Sequence, residues 1–448
     1  MAATTLSEAL TEVSTRLGDE NNTFWSLNEL YLYLCESLRV LNSLTGFWRT
    51  TYIVTLTAPF TQNWFSTAGA GSPRIQTLTD TDLYNLIEYH LLEPATGATW
   101  TGTNQFAITD LWQPMSRRRN EILQMAACNM GEDALAVIPV TATIPLPDNI
   151  LDVRRTRWVP GSGLGSPATL QRGDALSYQR FSYNYGQTNQ PPLRWTLLNG
   201  LEAALSASGE LLALQLDTLA PTPSQTQILA IEGGPDFNPP GGNPLLMPDD
   251  WAWVLKFGTM ADIFSKEEEG RDVPRGTYCR QRYEQGIKAM ERLPWMTQAL
   301  VDGLPVDIIS VAAADRFNYE WQANASAFPG LVIGGVDLYS VAPYPTTTIS
   351  LSLTVVQNAP IPANTPTAPI YLPRDAMEAV LLEATHLALL KMGGQEFTES
   401  MALHQGFIEY CMKTNSRLLE EGIFPTDYAS VVPLQDTQDP RFTLQGGS

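Results

Sequence analysis

Met247-Pro248-Asp249-Asp250 and Leu372-Pro373-Arg374-Asp375 open two long helical segments, roughly 249–293 and 374–419. Laid on one another without a gap, Lys266 falls on Lys391, Glu284 on Glu409, Lys288 on Lys413, and Arg292-Leu293 on Arg417-Leu418. Seven identities in 47 positions say little alone, so the flanking sequence has to decide. Leu219-Ala220-Pro221-Thr222-Pro223 precedes the first segment and Val341-Ala342-Pro343-Tyr344-Pro345 the second, 27 and 30 residues before the helix-opening proline. Proline suits a helix start, where its missing N–H has no partner to lose. The pattern reads as a duplicated unit: a small sheet, a proline-opened helix, then a second helix.

Upstream, the first forty-odd residues read as two helices. Leu6, Leu10, Val13 and Leu17 follow helical spacing and Gly18 stands where a C-terminal cap belongs. Ser26 and Glu29 form a capping-box pattern, with Trp25 placed to staple onto Leu30. Leu27, Leu30, Leu34, Leu38 and Leu41 then line one face until Gly46. Further helices are expected from about Thr79 to Leu92 and from about Asp110 to Cys128, with Pro114 tolerated in a first turn.

From about Val137 the texture changes. Residues 136–153 mix β-branched side chains with Pro139, Pro145 and Pro147, which suits edge or short strands. Residues 211–216 and 227–231 also read as strands, and Ile349–Val355 alternates apolar with polar throughout. The order is helices, sheet, helices, sheet, helices: an α+β fold of helical bundle segments alternating with small β-domains. In sequence this divides as 1–135 helical, 136–246 β-rich, 247–300 a helical pair, 301–372 β-rich, 373–420 the second helical pair, and 421–448 an extended tail. The tail lacks periodicity and needs a partner to become ordered.

Composition narrows the function. Of 448 residues, 27 are basic and 47 acidic, a formal charge of −20. That opposes wrapping duplex DNA or docking on an anionic membrane. Cys35, Cys128, Cys279 and Cys411 lie far apart, which suits buried thiols rather than a disulfide framework or zinc site. Neither a secretory leader nor an 18-residue apolar run is visible, so a soluble protein made in the cytosol is expected.

The search for chemistry nominates no catalytic, cofactor-binding or metal-binding residue. His90, His386 and His404 are the only histidines, and His386 aligns with Ala261, a packing position. Gly161-Ser162-Gly163-Leu164-Gly165 lacks the Gly-Lys-Ser/Thr ending of a phosphate loop. Glu267-Glu268-Glu269 reads as a solvated turn. Arg117-Arg118-Arg119 and Arg154-Arg155-Thr156-Arg157 stand out in so acidic a chain, and salt bridges within the chain or across a subunit contact are expected of them.

Leu17-Gly18-Asp19, Trp25 and the run from Asn28 to Leu38 resemble the N-terminal helices of tailed-bacteriophage head–tail adaptor (connector or neck) proteins. Leu146-Pro147-Asp148, Val153-Arg154-Arg155, Leu170 to Asp174, Pro191 to Trp195, Met247 to Asp250 and Pro294-Trp295 continue the resemblance over most of 1–300. It implies a non-enzymatic virion protein at the head–tail junction, synthesised in the bacterial host cytoplasm. About twelve copies would form a ring that joins portal to tail proteins and lets genomic DNA pass without sequence-specific binding. Summed over such a ring, the charge of each copy makes an acidic lumen along which DNA slides. Simple adaptors end after one helical pair, so residues 301–448 depart from the pattern, as a second ring layer or docking platform. The tail is a candidate for strand addition onto another subunit. The alternatives are another phage tail or baseplate part, or a carbohydrate-binding tail component.

Overall fold

The computed structural model describes residues 4–57, 64–66, 76–91, 106, 109–137, 143–161, 167–174, 190–199, 212–221, 223–237, 241–266, 272–292, 296–317, 321, 330–334, 338–342 and 347–420. The chain begins with β1 (Thr4–Thr5), α1 (Leu6–Leu17), α2 (Leu27–Thr45), β2 (Arg49–Leu56), β3 (Phe65–Ser66), α3 (Asp80–His90) and α4 (Thr109–Ala126). Seven strands follow: β4 (Met130–Ala136), β5 (Thr143–Pro145), β6 (Ile150–Pro160), β7 (Ala168–Arg172), β8 (Arg194–Asn199), β9 (Leu212–Leu216) and β10 (Ser224–Glu232). A 3₁₀ turn (Asp249–Trp251) leads into α5 (Ala252–Phe264) and α6 (Val273–Arg292). Then come β11 (Met296–Val301), β12 (Leu304–Ser310), α7 (Val311–Phe317), β13 (Gly330–Ile333), β14 (Leu338–Ala342), β15 (Ile349–Val356), β16 (Pro369–Ile370), α8 (Arg374–Met392) and α9 (Gly394–Glu420).

The fold is α+β, and the duplication is larger than the two helical pairs. One seven-stranded sheet has the order β4-β10-β6-β7-β8-β9-β5, the other β2-β15-β11-β12-β13-β14-β3. Each is mixed, with a single parallel pair at the same place, β7 with β8 and β12 with β13. In each, the strand that follows a helix pairs with the last strand before the helical pair. Even the bond beside that ladder repeats: Glu232 N–H donates to Asn129 O and Gln357 N–H to Trp48 O, both at 3.0 Å. The helices match too. Thr5 caps α1 reciprocally with Glu8, and Thr79 caps α3 with Asp82. Thr5 pairs with Pro369 while Thr79 bridges Pro244. The left-handed residue that ends α2, Gly46 (φ 55°), has its counterpart in Ala127 (φ 50°) after α4.

The copies are nested. The first, α3 to α6, lies in the chain between β3 and β11 of the second. The second is therefore assembled from α1, α2, β2 and β3 together with everything from β11 onward. This corrects the sequential division. Residues 1–135 are not a helical unit, because β2 and β3 belong to the C-terminal sheet and β4 opens the other. The second β-rich segment starts at Met296, and β6 is a central strand of 11 residues that begins past the prolines. Pro139 and Pro343-Tyr344-Pro345 lie outside the described residues.

Each sheet curls. In the first, Ala136 ends one edge strand and Thr143 begins the other. Seven residues reach at most ~25 Å, whereas seven flat strands hold their edges about 29 Å apart. The helices of both copies share one hydrophobic core, and each sheet has its own. A small cluster with Trp64, Leu229, Trp321 and Val332 joins the two sheets. There Arg155 lies over the Trp321 ring at 4.8 Å and pairs with Asp315 at 3.4 Å. Among the described residues no helix is long and apolar enough to cross a membrane.

Two local expectations change. Ser26 Oγ accepts from Glu29 N–H at 3.2 Å, but the Glu29 carboxylate does not close the capping box. It turns inward to Lys391 and Tyr33 instead. Trp25 likewise anchors α2 across the fold, its indole N–H donating to Ala388 O at 3.2 Å. Pro114 stands inside α4 rather than in its first turn.

Candidate functional site

The packed helices bury an unusual number of charges. Lys256, in the apolar run of α5, is fully buried and ion-paired with Glu36 of α2. Its ammonium also donates to His90 Nε2 at 3.2 Å. Burial lowers both the lysine and the histidine pKa, the second far below its usual range. In the same helical core, Glu383 of α8 accepts from Arg282 of α6 at 3.1 Å and from His404 Nδ1 of α9 at 2.7 Å. Burial would raise this carboxyl, but His404 and Arg282 hold it at about 2.

His386 stacks on His404, ring centres 5.0 Å apart. Ser400 Oγ donates to Phe397 O at 2.7 Å, so His386 Nδ1–H donates to Ser400 Oγ and Nε2 accepts from Tyr278 O–H, at 2.9 and 2.7 Å. Burial, then the neighbouring His404, lowers His386 to about 3 and keeps it neutral. A Ser–His pair is thus present, yet both members are buried and the serine proton is committed to a carbonyl. This is a packed polar network in which the serine proton is committed, not a poised nucleophile.

The histidines therefore sit where packing places them. All four cysteines are buried thiols. Desolvation pushes Cys35 up to about 11 and Cys279 to about 12, which removes the thiolate that reactivity needs. Among the described residues no group of three or more His, Cys, Asp or Glu is placed to hold a metal ion.

The arginine clusters are consumed inside the chain, as expected. Arg117 and Arg118 both reach Asp262, at 2.7 and 2.6 Å, and Arg118 also holds Glu121 at 2.7 Å. Arg119 is fully buried, stacked 4.3 Å from the Phe237 ring and donating to Gly234 O and Pro235 O. Arg154 pairs with Asp152 and donates to Gln124 O. Glu267–Glu269 and residues 162–165 lie outside the described residues.

One open cavity of about 530 Å³ lies between α2, α3 and the start of α5, lined among others by Tyr31, Cys35, Arg39, Asp82, Tyr89 and Trp253. Burial keeps the Cys35 thiol and the Tyr31 phenol of its wall protonated. Sequence reasoning passed over Lys256, Arg282 and Glu383. A signal existed: a lone lysine within Trp253–Phe264 and a lone glutamate within Val380–Leu390 interrupt apolar helices, and a charge at such a position needs a buried partner.

The residues that carry the adaptor resemblance are joints of the fold. Asp19 accepts from the backbone N–H groups of Thr23, Phe24 and Trp25, shaping the turn between α1 and α2. Leu146, Leu170 and Trp195 are core residues of the first sheet. Compared with protein-family models and with curated proteins, the chain matches none.

Proposed function

We propose that this chain is a non-enzymatic structural subunit of the tailed-bacteriophage head–tail junction, forming a ring that links portal to tail and lines the DNA channel. The observation that carries this reading is the disposition of charge. The arginine clusters, the strongest concentration of positive charge in the sequence, are engaged by carboxylates and carbonyls of the same chain. The excess of 47 acidic over 27 basic side chains is left without an internal counterweight. A ring wall of that sign repels phosphate, so DNA passes without adhering.

Two features support the same reading. The shared motifs serve the geometry of helix joints and sheet cores, as befits an architectural protein. The groups that chemistry would need, His386, His404, Ser400 and the thiols, are buried and held in unreactive protonation states.

Native mass spectrometry of the protein alone and mixed with a portal ring tests the proposal. A discrete closed oligomer, or stoichiometric capture by the portal, is the expected result. A chain that stays monomeric in both samples refutes it.

A further inference from the structure

The two copies leave two equivalent strands at sheet edges, β4 in one and β2 in the other. Register fixes which backbone groups point outward. Gln357 N–H donates to Trp48 O, and the pairs run from Val356 with Arg49 to Ile349 with Leu56. Every second residue of β2 therefore faces β15, while Thr51, Ile53 and Thr55 turn their N–H and C=O away from the sheet. Their side chains are exposed as well, Ile53 at 67%. The same logic, from Glu232 N–H to Asn129 O, turns Met130, Glu132, Ala134 and Ala136 outward on β4.

Unpaired edges invite another strand, and proteins guard them with charge. The β4 edge carries Glu132 in mid-strand, with Asp133 beside it, whereas on β2 the charge stops at its first residue, Arg49, and Thr50 to Leu56 contain no charged residue, proline or glycine. Among the described residues no hydrogen-bond partner meets the outward groups of Thr51, Ile53 and Thr55. Of two strands with one ancestry in the fold, one is guarded and the other is left ready to pair.

The chain itself supplies an occupant at the right place. Asn415 Nδ2 of α9 donates to Leu44 O at 3.0 Å, just before the Gly46 turn that leads into β2. Five further residues bring α9 to Glu420, about 8 Å of helix beyond that contact. Residues 421–448 follow, outside the described residues. Within them Thr426-Asp427-Tyr428-Ala429-Ser430-Val431-Val432 is bracketed by Pro425 and Pro433. At seven residues it is one shorter than β2, it is rich in β-branched and aromatic side chains, and its bounding prolines cannot donate to a ladder. Residues 421–425 extended reach roughly 17 Å, about twice the distance by which α9 runs on past its contact with Leu44.

We propose that Thr426–Val432 adds to the free edge of β2 of the same chain as an eighth strand, running from the Arg49 end toward Leu56. Main-chain hydrogen bonds from Thr51, Ile53 and Thr55 hold it, and the short tether keeps its local concentration high.

Hydrogen exchange of the full chain, read by mass spectrometry, tests this against the Ile53→Pro variant. The Ile53 N–H points outward, so proline there removes no bond to β15. The expected result is protection of 426–432 by at least about tenfold over the free-peptide rate, lost in Ile53→Pro while β15 stays protected. A second variant, Ala429→Pro with Ser430→Pro, lies in the tail and leaves the fold untouched. It is expected to speed exchange at Thr51, Ile53 and Thr55. Unprotected exchange of 426–432 in the parent chain overturns the proposal. So does protection unaffected by the tail variant, or protection lost on dilution, which would assign the strand to another copy.

Discussion

Lys391 sits 3.0 Å from both carboxylate oxygens of Glu29. At the matching place in the other copy Lys266 meets Asp110. Each lysine stands at the C-terminal end of the helix that opens a pair, and each acid in the first turn of the helix preceding a sheet. Both charges thus also favour the helix ends they occupy. The ion pair recurs in both copies, although most of the surrounding side chains differ.

The two pairs differ in burial, and so in worth. The Lys391 and Glu29 side chains are 10% and 2% exposed, against 35% and 22% for Lys266 and Asp110. Lys391→Met strands a buried carboxylate and is expected to cost about 3–5 kcal/mol in urea unfolding. Lys266→Met is expected to cost about 0–1 kcal/mol. Equal losses would mean that burial does not set the difference.

Acid should weaken the helical core through His386 and Glu383. His386 folds with a pKa near 3, below the usual imidazole value, so between about pH 6.5 and 3 the unfolded chain takes up a proton that the folded chain refuses. Glu383, held at about 2, contributes stability above the usual carboxylate pKa and loses it as pH falls through 2. Stability is therefore expected to fall from pH 6.5 downward. His386→Gln should flatten that fall by about one proton, roughly 1.4 kcal/mol per pH unit. An unchanged slope in denaturant titrations at pH 6 and 4.5 would count against the assignment.

Asp250 works in the opposite direction. Burial raises its carboxyl to about 7, despite hydrogen bonds from Asn42 Nδ2 at 2.5 Å and Ala359 N–H at 3.0 Å. The folded chain holds this proton longer than the unfolded one, so the stabilisation is full below pH 4 and fades as pH rises to 7. Asp250→Asn is expected to gain on the parent between pH 5 and pH 8. Parallel stability curves for the two proteins would refute it.

Gly286 lets α6 close on α5. A Cβ there would lie 2.5 Å from Val254 Cγ2 and 3.0 Å from the Trp253 ring. Gly286→Ala is expected to cost about 1–3 kcal/mol by overpacking, measurable in thermal unfolding. The matching position in the other copy is Cys411, whose side chain is fully buried.

Much of this architecture was legible in sequence because it follows local rules. Gly18 and Gly46 adopt the left-handed caps that their positions announce, and Ile349–Val356 forms the alternating strand. The proline-opened segments reveal the duplication since a helix start carries a fixed chemistry. The nesting was not legible. β2 pairs with β15 across about two thirds of the chain, and its residues, read locally, follow two helices. Ala127 takes the place of a capping glycine without resembling one. The buried network was half legible: Glu383 and Lys256 are conspicuous in apolar helices, but Arg282 and Glu36 lie on other helices that only the tertiary fold brings alongside.

Nesting also sets a clock on synthesis. The ribosome releases β2 long before its partner: between Leu56 and Ile349 the whole inner copy must be made. At 5–20 residues per second that interval is about 15–60 s. The inner copy can complete its own sheet during that time. The nascent outer copy meanwhile presents Thr50 to Leu56 with both edges open and no charge to deter a neighbouring nascent chain.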